Sequence, residues 1–241
     1  MTVLLVACAA FAATMLGGIF AIRFRDRLHL ILGFSAGAVV GVALFDLLPE
    51  AMALGGKYHD PAHLALFIAC GFLAYLVLDR LVLIHPHGHD EHDHGHNEAR
   101  GVFGATTLSV HSFLDGAAIG VGFQASPAVG VIVAAAVIAH DFSDGINTVG
   151  FILKNGGQWR RAMRWLIVDA VAPVIGAAST LLFRIPDSTV GVVLAVFAGC
   201  FLYLGATDLI PESQHRHPRA ATTIMTLLGA ATIYIAVRLW S

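Results

Sequence analysis

The stretch AVGVIVAAAVIAHDFSDGINTVGFIL, residues 128–153, decides the fold. It exceeds the roughly 20 residues a helix needs to cross a ~30 Å hydrocarbon core, yet it carries His140, Asp141 and Asp144 near its middle. Ionisable side chains at that depth cost roughly 3 kcal/mol or more unless they meet a partner, water or an ion. A polar knot inside a spanning segment therefore reads as a site. The same pattern occurs one apolar segment earlier, where HSFLDG at 111–116 matches HDFSDG at 140–145: His, a polar residue, Phe, any residue, Asp, Gly. In each copy the His and Asp are four residues apart, so on a helix both project from one face, one turn apart.

Working outward, apolar windows of spanning length recur near 2–22, 28–50, 62–84, 100–124, 162–183, 190–211 and 219–239, which with 128–153 makes eight. The 241 residues are 57% hydrophobic and 12% charged, with a mean hydropathy of +0.78, outside the range of soluble globular chains. The expected class is an all-α polytopic membrane protein, because the segments are too long and too uniformly apolar for barrel strands. The N-terminal apolar run lacks a basic leader and continues to Ile22, so it reads as a true span. Cys8, Cys70 and Cys200 stand singly in apolar runs and imply no disulfide framework. A net charge of −2 with no basic stripe leaves no footprint for nucleic acid.

Of the fourteen Lys and Arg, all but Lys57, Arg184 and Arg238 fall in the loops after spans 1, 3, 5 and 7. The positive-inside rule makes those loops cytoplasmic and both termini extracytoplasmic. AGAVVGVALFDLLPEA at 36–51 in span 2 resembles AGCFLYLGATDLIPES at 198–213 in span 7, and the two spans run in opposite directions. This is the signature of an inverted repeat, spans 1–3 against spans 6–8, with the span 4–5 pair on the pseudo-two-fold axis in a 3+2+3 arrangement. The expected divisions are 1–84 for spans 1–3, 85–99 for a loop, 100–153 for spans 4–5 and 154–241 for spans 6–8. At 1.5 Å per residue His111 and His140 lie about 15–18 Å deep, near the bilayer midplane.

Paired imidazole and carboxylate suit borderline divalent cations such as Zn²⁺, Fe²⁺ or Co²⁺, and two claws complete a four-coordinate shell from His111, Asp115, His140 and Asp144. A plainer reading makes them buried His–Asp hydrogen bonds that glue helices, but duplication on adjacent antiparallel spans favours the ion. Ser112 and Asp141 take equivalent positions beside the two His and make a candidate second site, and Asn147 shares the face of Asp144. Gly116 and Gly145, directly after each Asp, allow close helix approach. Asp169, four residues before Pro173, has no Lys or Arg within a turn and reads as pathway lining. Asp46 and Glu50 in span 2, and Asp208, Glu212 and His215 at the end of span 7, read equally as pathway mouths or as interfacial residues where helices stop at Pro49 and Pro211. The loop HPHGHDEHDHGHNE at 85–98 holds His85, His87, His89, His92, His94 and His96. It cannot form a packed core and reads as an accessory, adaptable metal chelator.

With eight spans, termini outside, a His-rich loop between spans 3 and 4, and H-x-x-x-[DE]-G strings in spans 4 and 5, the chain resembles the ZIP (Zrt/Irt-like) family of divalent metal transporters, bacterial type. The resemblance implies movement of Zn²⁺, or in relatives Fe²⁺, Mn²⁺ or Cd²⁺, into the cytoplasm as transported substrate, without an organic cofactor. It puts the primary ligands on His111, Asp115, His140 and Asp144, and second-site ligands on Ser112 and Asp141. Three positions depart from the family: Asp115 and Asp144 where Glu is usual, Ser112 where Asn is common, and Ala172 where a Glu often precedes the span-6 proline. One strong and one degraded site are expected, with Asp169 as the substitute acid. The implied setting is the inner cell membrane; the partners are metal ions and lipid, with a homodimer compatible but not required. The expectation is a transporter and not an enzyme. Two alternatives stay open: a cation-diffusion-facilitator-type exporter, which would need six spans and a soluble C-terminal domain, and an intramembrane zinc metalloenzyme that activates water.

Overall fold

The computed structural model describes residues 2–20, 28–84, 98–214 and 220–240. Among these residues every regular element is helical, in eight long rods. The first is α1 (Thr2–Phe20); the second joins α2 (Leu28–Val42), a π-helical turn (Ala43–Leu47) and α3 (Leu48–Gly55); the third is α4 (Pro61–Ile84). Then come α5 (Glu98–Ala125), α6 (Pro127–Lys154) and α7 (Trp159–Ser179), the last ending in a 3₁₀ turn, Thr180–Leu182. The seventh rod joins α8 (Asp187–Tyr203), a second π-helical turn (Leu204–Leu209) and α9 (Ile210–Gln214), and α10 (Ala220–Trp240) is the eighth. The all-α polytopic class follows, with rod ends within a few residues of the hydropathy windows for most spans. Seven rods are long and apolar enough to cross a membrane. The eighth, α5, equals α6 in length at 28 residues, but Thr106, Thr107, Ser109, His111, Ser112 and Asp115 dilute its apolar content.

The helices of spans 2 and 7 do not stop at their prolines. Proline lacks an N–H and its ring presses on the carbonyl four residues back, here Phe45 for Pro49 and Thr207 for Pro211. Both of those residues lie inside the π-helical turns, whose wider winding absorbs the mismatch and lets the helix continue. Thr207 Oγ1 also donates to the Tyr203 carbonyl at 2.7 Å, at the start of the second π-helical turn.

Between α5 and α6 there is a single residue, Ser126. Its Oγ accepts from Val129 N at 3.2 Å, and Pro127 occupies the first helical turn, a strong start signal. So short a link forces the two helices antiparallel and adjacent. Gln124 closes the same end: Nε2 donates to the carbonyls of Thr180 (2.8 Å) and Phe183 (3.1 Å), while Oε1 accepts from Ile185 N (2.9 Å).

Helix approach is closest along reciprocal glycine seams. A Cβ at Gly17 would overlap the Phe142 carbonyl and one at Gly145 the Thr14 carbonyl, joining α1 to α6. Gly116 meets Pro173 and Gly176 meets Phe113 in the same way, joining α5 to α7. Elsewhere Gly37 and Gly229 lock α2 to α10, and Gly71 and Gly199 lock α4 to α8. Two groups result, α1 with α5, α6 and α7, and α2/α3 with α4, α8 and α10. Between the groups the contacts run through side chains, such as Ser35 Oγ donating to the Ala139 carbonyl at 2.6 Å.

Candidate metal centre

His111 lies fifteen residues before Ser126 and His140 fourteen after it, so the hairpin brings both imidazoles to one level, about 22 Å from the turn. Asp115 and Asp144 follow each His by one turn on the same helix face. All four side chains are buried, none more than 3% exposed, and one ligand atom from each lies within 4.8 Å of the others. His111 Nε2 is 3.0 Å from Asp115 Oδ2 and 3.6 Å from Asp144 Oδ2; His140 Nε2 is 3.3 and 3.9 Å from the same two oxygens. Each imidazole thus reaches both carboxylates, its own helix's and its neighbour's.

Donor chemistry selects what fits between them. His140 Nδ1 lies 2.9 Å from the Ala136 carbonyl, which can only accept, so Nδ1 carries a proton, and Nε2, aimed at the carboxylates, is the nitrogen free to give a lone pair to a cation. His111 Nε2 and Asp144 Oδ2 are buried without a hydrogen bond. With both imidazoles deprotonated at Nε2, four lone pairs converge and suit a cation that accepts from all four. Two imidazoles and two carboxylates are a donor set for a borderline divalent metal ion.

Beside this quartet lies a second polar group. Asp169 of α7, fully buried, accepts from Ser112 Oγ and Thr148 Oγ1, both at 2.8 Å. Asp141 is also fully buried and neither of its carboxylate oxygens has a hydrogen-bond partner. Ser112, Asp141 and Asp169 thus all lie in the buried interior around the quartet, while Asn147 is half-buried. Thr148 escaped the sequence reading, although it stands four residues after Asp144 and so shares its helix face. Tyr75 and Phe201, whose rings pack on the two imidazoles, had no local signal at all.

Toward one end of the second rod, Asp46 is buried in the first π-helical turn with Oδ2 unpartnered, and Glu50 is half-buried one turn on. The backbone of Asp208 lies in the equivalent π-helical turn and that of Glu212 in α9. The side chains of Asp208 and Glu212, residue His215, and the loop histidines His85, His87, His89, His92, His94 and His96 lie outside the described residues.

Comparison with known proteins gives the chain a family. The chain is 23% identical to zinc transporter ZIP13 of Pongo abelii, over 88% of this chain and 66% of that protein. It is 24% identical to zinc transporter zipt-7.1 of Caenorhabditis briggsae, over 77% and 62% respectively. It thus spans slightly under two thirds of the length of these two relatives. Against zinc transporter ZupT of Corynebacterium aurimucosum the identity is 26%, over 95% of this chain and 93% of the relative. The profile of the family described as ZIP Zinc transporter matches residues 89–236, more than half of the chain and inclusive of both H-x-F-x-D-G strings. The chain belongs to the ZIP zinc transporter family.

Proposed function

We propose that this protein moves divalent transition-metal cations, zinc foremost, across the cell's inner membrane into the cytoplasm, with the ion held near the midplane by His111, Asp115, His140 and Asp144. The observation that carries the reading is the convergence of four buried donor atoms, drawn from both helices of one intramembrane hairpin, within 4.8 Å. Fe²⁺, Mn²⁺ and Cd²⁺ are the further candidates as substrate. Ser112, Asp141 and Asp169 supply oxygens for a second, weaker site, with Asn147 as an additional donor. Asp46, Glu50, Asp208, Glu212 and His215 line the two mouths of the route, and the His-rich loop at 85–98 acts as an accessory chelator on the cytoplasmic side, where the Lys and Arg count places it.

An inverted repeat of residues 1–84 and 154–241 about the central pair at 100–153 organises the pathway in this reading. Support comes from paired features: π-helical turns at matching Asp residues in spans 2 and 7, and glycine seams that pair α1 with α6 as α7 with α5, and α2 with α10 as α8 with α4. Alternating access then follows from one helix group moving against the other around the ion. The metalloenzyme and cation-diffusion-facilitator exporter readings gain no support, since the matching family profile is that of ZIP zinc transporters.

The test is zinc flux into proteoliposomes. His140→Ala and Asp144→Asn are each expected to abolish flux while the purified protein keeps its helical content and its monodispersity. Wild-type flux in either variant rejects the ion site.

A further inference from the structure

Both imidazoles of the quartet meet an aromatic ring from the other helix group. Tyr75 of α4 stands 5.4 Å from the His111 ring, centroid to centroid, at an interplanar angle of 89°. Phe201 of α8 meets His140 at 6.1 Å and 80°. Behind Tyr75 lies Tyr203, at 5.4 Å and 35°, and Tyr203 is met edge-on by Phe72 at 5.2 Å and 74°. Edge-to-face rings at these separations attract, because the electropositive edge of one meets the electronegative face of the other.

The two halves of the chain differ at this point. When the strings 36–51 and 198–213 are set in register on their Ala-Gly and D-L-x-P-E residues, Phe201 falls opposite Val39, and Tyr203 opposite Gly41. Gly41 packs on Ala230 and Ile233 of α10 and has no ring to offer the site. The aromatic contacts described at the two imidazoles thus come from α4 and α8. From α2 of the same group, the Ser35 hydroxyl meets the carbonyl of Ala139, beside His140.

We propose that Tyr75 is a positioning residue for the ion, its ring, backed by Tyr203 and Phe72, holding the His111 imidazole at the angle that aims Nε2 at the two carboxylates. The inference rests on reading the quartet as the ion site. It makes the ring, and not the phenol hydroxyl, the functional part of Tyr75. It also ties binding in one helix group to contact with the other, since α5 carries His111 while α4 carries Tyr75.

The experiment uses the full chain, in detergent for Co²⁺ absorption and in proteoliposomes for zinc KM and Vmax. Tyr75→Leu keeps apolar bulk but loses the quadrupole; it is expected to raise the zinc KM about 2- to 10-fold, the worth of one such ring pair, and to alter the Co²⁺ d–d bands. Tyr75→Phe is expected to restore both. Wild-type KM and bands in Tyr75→Leu overturn the proposal, as does Tyr75→Phe being as impaired as Tyr75→Leu. Should Tyr75→Leu fail to yield folded protein, Phe201→Leu is read the same way at His140, and unchanged KM and bands there overturn it. His140→Ala separates the underlying reading: wild-type Co²⁺ bands in that variant reject the quartet as the ion site, whatever Tyr75 does.

Discussion

Asp169 shows how this interior handles a buried carboxylate away from the quartet. Its two oxygens take one hydroxyl each, from Ser112 on α5 and Thr148 on α6, so one acid on α7 is tied to both helices of the hairpin. Removing one donor leaves a buried acceptor short, which costs about 1–3 kcal/mol. Thr148→Val preserves shape and should lower the melting temperature in detergent by several degrees. Ser112→Ala should do the same, and the double variant should lose more than the two single losses together, because the carboxylate then has no hydroxyl donor. Additive losses would show that the two hydroxyls do not share Asp169. Asp141 contrasts with it, fully buried with neither carboxylate oxygen hydrogen-bonded.

At the scale of the element, α5 and α6 each present a His–Asp face to the quartet and back it with a glycine. Asp115 and Asp144 turn into the quartet, and the residue after each lets a third helix pack directly on the backbone. A Cβ at Gly116 would overlap the Pro173 carbonyl, whereas one at Gly150, on α6, meets nothing within 4 Å. Gly116→Ala should therefore cost about 1–3 kcal/mol through forced separation of α5 and α7, or prevent folding. Gly150→Ala should be neutral or gain about 0.5–1 kcal/mol from helix propensity. Thermal unfolding of the two variants side by side checks the contrast; equal stability would mean that the seam yields without cost. The same local logic explains the π-helical turns, which let spans 2 and 7 continue through Pro49 and Pro211 while burying Asp46 in the first of them.

For the whole molecule, the glycine seams bind helices within each of two groups, and side-chain contacts join the groups. Backbone-to-backbone packing resists sliding because ridges and grooves interlock at short distance. Side-chain contacts such as Ser35 to Ala139 are fewer and more easily exchanged. A thiol crosslink between Ser35→Cys and Ala139→Cys, with Cys8, Cys70 and Cys200 replaced, should stop zinc flux yet leave Co²⁺ binding intact. Restoration of flux on reduction completes the check. Undiminished flux in the crosslinked protein would rule out movement of the α2 group against the α6 group.

The all-helical membrane class, the approximate ends of the rods and the four side chains that converge were legible in the chain, because hydropathy and the 3.6-residue period are local properties of it. The similar depth of His111 and His140 was legible by counting residues into each span, and the one-residue link at Ser126 then holds the two helices antiparallel. Only the tertiary structure decided that Thr148 rather than a basic group satisfies Asp169, that Tyr75 and Phe201 face the imidazoles, and that Pro49 and Pro211 interrupt nothing. Tyr75 and His111 are 36 residues apart and on different helices, and no periodicity within one segment reports which faces of two segments meet. That choice belongs to the glycine seams, which set where backbones touch and thereby which side chains are left to surround the quartet.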